Sequence, residues 1–291
     1  MTVTQNSAKP AIHSGTFNIG GDLVVHRLGF GAMRLTGRGV WGEPANHQEV
    51  ISVLHRALDL GITLIDTADY YGPEISEKLI AEALYPYPQN LVIATKGGLV
   101  RPGPEQWIIN GDPKHLRAAC EGSLKRLKLE RIDLYQLHRI DSQIPLEEQI
   151  GVLIDLQQEG KIRHIGLSEV SVKQIEAVRK MTPIVSVQNK YNLMERSAES
   201  VLEYCTQEHI AFIPWYPLAT GNLTRQGGIL TRLANKVHAQ PAQIALAWLL
   251  KKSPVLLPIP GTSSVKHLEE NIRAALLELD DSAMNELEGI G

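Results

Sequence analysis

Four titratable side chains in the first half of the chain have complementary chemistry: Asp66, Tyr71, Lys96 and His138. A tyrosine phenol, with an ordinary pKa of about 10, is a poor acid at neutral pH unless a cation stabilises its phenolate. Lys96 would be that cation, and Asp66 would keep the ammonium charged and fixed. His138 can donate to a carbonyl oxygen, so Tyr71 and His138 together would form a polarising pocket and proton source. Neither a nucleophile–base pair nor a set of metal ligands accompanies them. The hydride for such a reduction would have to come from a cofactor.

The elements that must position these residues follow a regular rhythm. After a polar start (Thr2 to Ser14), expected to be mobile, the segment Gly15 to Val25 reads as a hairpin turning at Gly20-Gly21-Asp22. Short apolar runs then recur at Arg27–Met33, Thr63–Asp66, Leu91–Lys96, Ile132–His138, Ile162–Ser168, Ile184–Gln188, Ile210–Pro214 and Val255–Pro260. Amphipathic stretches of helix length separate them, among them Gln48–Leu60, Ser76–Leu84, Pro113–Leu127, Leu146–Gln158, Val172–Val178, Ala198–Thr206, Pro241–Leu250 and Val265–Leu276. Strands alternating with helices predict crossover units and a parallel sheet. Eight nearly continuous apolar runs predict an α/β fold, a (β/α)₈ TIM barrel, with the hairpin capping its amino-terminal end.

No linker, charge block or low-complexity stretch divides residues 15–291, which are expected to form one domain. A doubly wound sheet would usually carry a glycine-rich dinucleotide turn after an early strand. The nearest match here, Gly29-Phe30-Gly31-Ala32-Met33-Arg34, lacks its final small residue. In an α/β barrel the site lies at the carboxyl ends of the strands. Those ends are Asp66, Lys96, His138, Ser168 with Glu169, Gln188, Trp215, and Gly261-Thr262. Three of them are titratable and belong to consecutive strands, so they would converge on one mouth.

Composition narrows the class. The chain has 291 residues, is 43% hydrophobic and 21% charged, and has a formal net charge of −3. That is ordinary globular usage and leaves no global basic field, so nucleic acid is not expected as a partner. There is no run of about 18 apolar residues to span a membrane and no secretory pattern at the start, which predicts a cytoplasmic protein. The two cysteines, Cys120 and Cys205, read as buried thiols, and the remaining histidines have no metal-ligand spacing. No metal is expected, and nothing in the sequence fixes an oligomeric state.

The motifs around the four residues resemble the aldo-keto reductase family, from the hairpin to the last helix near Leu287. Asp66-Thr67-Ala68-Asp69-Tyr70-Tyr71-Gly72, Ala94-Thr95-Lys96 and Asp133-Leu134-Tyr135-Gln136-Leu137-His138 look like that family's signatures. The resemblance implies a catalytic set of Tyr71, Lys96, Asp66 and His138, with Tyr71 rather than Tyr70 as the acid. It implies NADPH or NADP⁺ lying extended across the barrel mouth and a small carbonyl compound as substrate. Met33 and Arg34 would border the nicotinamide, Ser168, Glu169 and Gln188 would hold its carboxamide, Trp215 would stack on it, and Leu218 would touch the pyrophosphate. Gly261, Thr262, Ser263, Ser264, Lys266, His267, Glu270 and Asn271 would form the adenosine end, with helix amides available to a 2′-phosphate.

Three positions depart from the family pattern. Glu169 stands where Asn is common, Trp215 where Tyr is usual, and His267 where many members carry Arg. Trp41, Trp107 and the Leu218–Gln226 segment are expected to wall the substrate side. The loops Gly39-Val40-Trp41-Gly42 and Pro258–Ser264 look most like a bacterial branch that includes pyridoxal reductases. Two other readings stay open. One is a metal-dependent barrel hydrolase, which would need further ligands at the strand ends. The other is a non-catalytic nicotinamide-binding auxiliary or redox-sensing subunit with the same fold.

Overall fold

The eight apolar runs become the staves of one parallel barrel in the computed structural model, which describes residues 1–3, 8–218 and 228–290. Seven staves pair in order around the ring: Phe30–Gly31, Leu64–Asp66, Val92–Gly97, Ile132–Leu137, Ile162–Ser168, Ser186–Gln188 and Ala211–Phe212. The eighth, residues 255–258, closes it by two hydrogen bonds on one side and one on the other. Phe212 N–H donates to Val255 O and Leu257 N–H to Phe212 O, both at 2.8 Å, while Gly29 N–H donates to Pro258 O at 3.0 Å. A regular ladder cannot form there because Pro258 and Pro260 have no N–H to give. The last and first staves also approach too closely for side chains. A Cβ on Gly31 would lie 2.6 Å from the Ile259 carbonyl oxygen, so only glycine fits.

Register explains how the four chemical residues reach one end. Asp66 pairs with Ala94, Lys96 with Gln136, and Ser168 with Gln188. Side chains alternate along a strand, so Asp66 shares its face with Leu64, and Lys96 with Ala94 and Val92. The apolar members fill the barrel's interior and the polar members stand above them at the carboxyl ends. Outward-facing Ile65 and Ile93 pack instead with Val53, Leu54 and Ile80 of the covering helices.

Those helices include His47–Asp59, Ile75–Leu84, Pro113–Leu127, Leu146–Gln158, Val172–Arg179, Glu199–Gln207, Pro241–Lys252 and Val265–Ile272. Local chemistry sets their starts. Asp112 accepts from the amides of Lys114 and His115 ahead of Pro113, and Ser171 with Gln174 forms a reciprocal cap. Ile229–Lys236, an additional helix, was not anticipated from the periodicity. A small antiparallel pair, Leu99–Val100 with Ile108–Ile109, was also unforeseen, and Trp107 directly precedes its second strand.

The hairpin forms as expected, Thr16–Ile19 against Leu23–His26, with Gly20 and Gly21 at positive φ in the turn. It buries Phe17, Ile19, Leu23 and Val25, and Asp22 ties its tip to Arg163 and His164 at the amino end of a barrel strand. Within the start expected to be mobile, residues 10–14 have regular structure. Pro10–Ser14 is a 3₁₀ turn with Ala11 fully buried, its amide on Leu60 O and the Ser14 hydroxyl on Ala11 O. Its small side chains and Pro10 fit under the barrel rim, which its polarity did not suggest. Cys120 and Cys205 are buried free thiols, each pushed up to about 12 by burial. Among the described residues no helix is long and apolar enough to cross a membrane.

Candidate active site

Asp66 is the hub of the barrel mouth. Its Oδ2 accepts from Lys96 Nζ at 2.7 Å, and its Oδ1 accepts from Gln188 Nε2 at 2.8 Å and Gln136 Nε2 at 3.2 Å. Three donors from three strands thus satisfy a carboxylate that is 2% exposed. Lys96 also donates to Thr67 O at 2.7 Å and engages the Tyr71 hydroxyl, with its ammonium 5.3 Å from that ring's centroid. Burial opposes the Lys96 charge most strongly, but Asp66 and Tyr71 together outweigh it and hold the ammonium above the ordinary lysine value.

Tyr71 is buried and lines the cavity, whereas Tyr70 turns away toward His115 at 6.1 Å. Burial pushes the Tyr71 hydroxyl above the ordinary phenol value, with Lys96 pulling the other way. The lysine therefore does not make the phenol acidic, as its type had suggested. It limits the rise, and Tyr71 stays protonated. His138 lies edge-on to Tyr71 with centroids 6.1 Å apart. Burial first, then Lys96 and Arg139, drive His138 well below the ordinary imidazole value, so its ring is neutral. Its Nδ1 is buried, with no hydrogen-bond partner among the described residues. An N–H with no acceptor would cost more there than a bare lone pair, which leaves the ring's proton on Nε2.

These groups open on a cavity of about 540 Å³, within the usual range for a small-molecule site. Met33, Arg34, Gly261, Ser168 and Gln188 line it, as do Trp215 and Leu218. Residues 219–226 of the expected substrate wall lie outside the described residues. Trp107 lines the cavity 6.3 Å from the Tyr71 ring, but Trp41 does not. Trp41 is drawn aside by its backbone bridge to Gly72 and by Arg101, whose guanidinium stacks 3.9 Å over Trp107 and 5.4 Å from Trp41.

Glu169 also stands off the cavity. It has φ of +54°, and its Oε1 accepts from the Lys190 amide at 2.6 Å and from the Trp215 indole at 2.5 Å. Glu169, expected to meet a carboxamide, holds the Trp215 indole through this oxygen. At the adenosine end, Thr262 Oγ1 accepts from Ser264 N–H at 3.1 Å, and Lys266 and His267 are exposed on the helix that follows. The first amide of that helix is not free, contrary to expectation: Val265 N–H donates to Glu49 Oε1 at 3.1 Å. Glu270 is 4.0 Å from Lys266, and Asn271 is buried.

A primary carboxamide fits the donors on the wall. Gln188 uses its Nε2 on Asp66, which leaves its carbonyl oxygen as an acceptor. Ser168 Oγ accepts from Arg139 Nη1 at 3.1 Å, which leaves its own hydroxyl proton to donate. One acceptor and one donor side by side match the amide's NH₂ and C=O, and the Trp215 ring lies on the same wall. Arg139 itself was missed from sequence, because it stands one residue past the strand end on which attention fell. Tyr216, at φ +61°, and Ile109 were missed because turn geometry and the small Leu99–Ile109 pair place them there. Among the described residues no group of three or more His, Cys, Asp or Glu side chains is placed to hold a metal ion.

Residues 27–291 match the aldo/keto reductase family model. The chain belongs to that family. It is 51% identical over 98% of its length to an uncharacterized oxidoreductase of Schizosaccharomyces pombe, covering 93% of that protein. It is 41% identical to pyridoxine 4-dehydrogenase of Escherichia coli, over 95% of this chain and 98% of the other. Among solved structures, it resembles an aldo-keto reductase of Klebsiella pneumoniae in complex with NADPH, with a TM-score of 0.80 and 28% identity over 94% of each chain. It also resembles the glycerol dehydrogenase of Gluconobacter oxydans, with a TM-score of 0.85 and 27% identity over 95% of each chain.

Proposed function

We propose that this chain is an NADP(H)-dependent oxidoreductase that reduces small aldehydes or ketones to alcohols, with pyridoxal in its substrate class. The observation that carries this reading is the meeting of Asp66, Lys96, Tyr71 and His138 at one end of the barrel, around a cavity whose wall suits a carboxamide. Family membership and the similarity to pyridoxine 4-dehydrogenase support it.

Each side chain has one task. The neutral His138 ring and the protonated Tyr71 hydroxyl both donate toward a carbonyl oxygen, which polarises the carbon. Tyr71 gives up its proton to that oxygen as the alcohol forms, and Lys96, fixed by Asp66, takes up the negative charge left on the phenol. Burial keeps water from competing for the developing charge. Ser168, Gln188, Trp215, Met33 and Leu218 would hold a nicotinamide nucleotide, with Thr262, Ser263, Lys266 and His267 toward its adenosine end. When bound in its reduced form, that nucleotide supplies the hydride that no side chain can.

The test is NADPH consumption by the purified protein against a panel of small aldehydes that includes pyridoxal. Stoichiometric alcohol formation is expected. Tight NADPH binding with no turnover on any carbonyl would favour a nicotinamide-binding auxiliary instead.

A further inference from the structure

The cavity carries more positive charge than the reduction of a neutral carbonyl requires. Lys96 and Asp66 neutralise each other, but Arg34 and Arg139 also line the wall, and neither forms an ion pair among the described residues. Arg34 belongs to the Gly261 side, its Cγ lying 3.7 Å from where a Cβ on Gly261 would sit. Arg139 directly follows His138 and is half-buried. Its Nη1 donates to His138 O at 2.6 Å and to Ser168 Oγ at 3.1 Å. The rest of its fork, Nη2 and Nε, meets no acceptor among the described residues.

Nearby carboxylates answer it only in part. Glu169 is close enough to attract Arg139 but forms no ion pair with it, its Oε1 accepting from the Lys190 amide and the Trp215 indole. Asp141 accepts from the amides of Gly111 and Gln143. The remaining wall near Tyr71 is apolar, with Trp107, Leu99 and Ile109. A half-buried guanidinium with no ion pair is only partly compensated by the charge of Glu169, and an anionic oxygen on a ligand would relieve the remaining cost. Burial lowers the Arg139 pKa, in keeping with partial loss of its water.

We propose that Arg139 is a specificity-determining residue that selects carbonyl substrates bearing an anionic oxygen, carboxylate or phenolate, close to the reacting carbon. The proposal rests on the reductase reading above. Because Arg139 adjoins the residue that polarises the carbonyl, the anion it prefers lies a few bonds from that carbonyl. A flat ring carrying both groups would then rest against Trp107.

Two substrate pairs test this, each differing by a charge and the methyl group that removes it. One is 2-carboxybenzaldehyde against its methyl ester. The other is salicylaldehyde, at a pH where its phenol is ionised, against 2-methoxybenzaldehyde. In the unmodified protein kcat/KM should favour the charged member of at least one pair by about tenfold or more, and the pair that responds separates carboxylate from phenolate. Arg139→Met should bring that ratio to about one, and Arg139→Lys should keep part of it. A binding arm needs no turnover: titrating tryptophan fluorescence with benzoate and with benzamide should show benzoate tighter by a similar factor, and equal affinities in Arg139→Met. If no aldehyde is reduced but the benzoate preference holds and vanishes in Arg139→Met, the reductase reading falls and the anion site stands. Ratios near one in the unmodified protein, or ratios that Arg139→Met leaves unchanged, overturn the proposal and reduce Arg139 to a positioning partner of Ser168.

Discussion

Glu49, on the first helix after the hairpin, accepts a hydrogen bond from the amide of Val265, 216 residues further along the chain, at 3.1 Å. A helix-opening amide that would otherwise attract a 2′-phosphate is thereby occupied by a carboxylate. The family resemblance implied helix amides available to a 2′-phosphate there. The fold brings in a carboxylate from elsewhere in the chain.

The nucleotide preference should therefore be modest, and Glu49→Gln should strengthen it. Removing the charge should tighten NADPH by about three- to tenfold and leave NADH nearly unchanged. Fluorescence titration with both reduced nucleotides checks this. Equal tightening of both, or none, would mean that Glu49 does not face the phosphate.

Trp215 should depend on Glu169 for its orientation. Glu169→Ala removes the acceptor of the indole N–H, so nucleotide affinity should weaken by about three- to tenfold while kcat changes little. Glu169→Gln retains an acceptor oxygen and should restore affinity to within about twofold. A shift in the tryptophan emission of Glu169→Ala, absent in Glu169→Gln, is the companion readout. Equal behaviour of the two variants would assign the effect to charge rather than to the hydrogen bond.

Arg101 is 6% exposed and ties the two loops that carry Trp41 and Trp107, donating to the Gly39 and Val40 carbonyls. Arg101→Met keeps the stacking bulk but strands both acceptors, a loss of about 1–3 kcal/mol. Thermal unfolding should move down by several degrees and KM for carbonyls should rise, with nucleotide affinity unchanged. An unaltered Tm and KM would show that the loops hold without it.

The direction of the Tyr71 shift sets a pH dependence. Burial keeps its hydroxyl protonated, with a pKa above the ordinary phenol value despite Lys96. Carbonyl reduction, which needs the protonated form, should be flat from about pH 6 to 9. Alcohol oxidation, which needs the phenolate, should climb with pH by nearly tenfold per unit and still be rising at about pH 9. A plateau in oxidation below about pH 8 would show that Lys96 wins over burial.

Much of this was readable from the order of residues. The alternation of apolar runs with amphipathic helices, together with strand-end chemistry, placed Asp66, Lys96 and His138 at one mouth, and barrel geometry made the rest of that placement nearly automatic. What sequence could not carry were relations across long separations. Glu49 with Val265 and Arg101 with Val40 are local in space only. Glu169 was given a carboxamide contact by the family resemblance alone. Its left-handed backbone and its hold on Lys190 and Trp215 had no signal in the sequence. Trp41 and Trp107 looked equivalent as loop aromatics, and only the unforeseen strand pair at Leu99–Ile109 brings the second to the cavity. The run Val255–Pro260 was expected as a full strand, but prolines reduce its pairing to two hydrogen bonds on one side and one on the other.

The proton donor is the centre of the account, and one comparison tests it most directly: kcat/KM for an aldehyde with NADPH in Tyr71→Phe beside Tyr70→Phe, with nucleotide affinity measured in both. Tyr71→Phe should lose about a hundredfold to ten-thousandfold in turnover with affinity retained, while Tyr70→Phe keeps most of its activity. Near-normal turnover in Tyr71→Phe, with the loss falling on Tyr70→Phe, would contradict it.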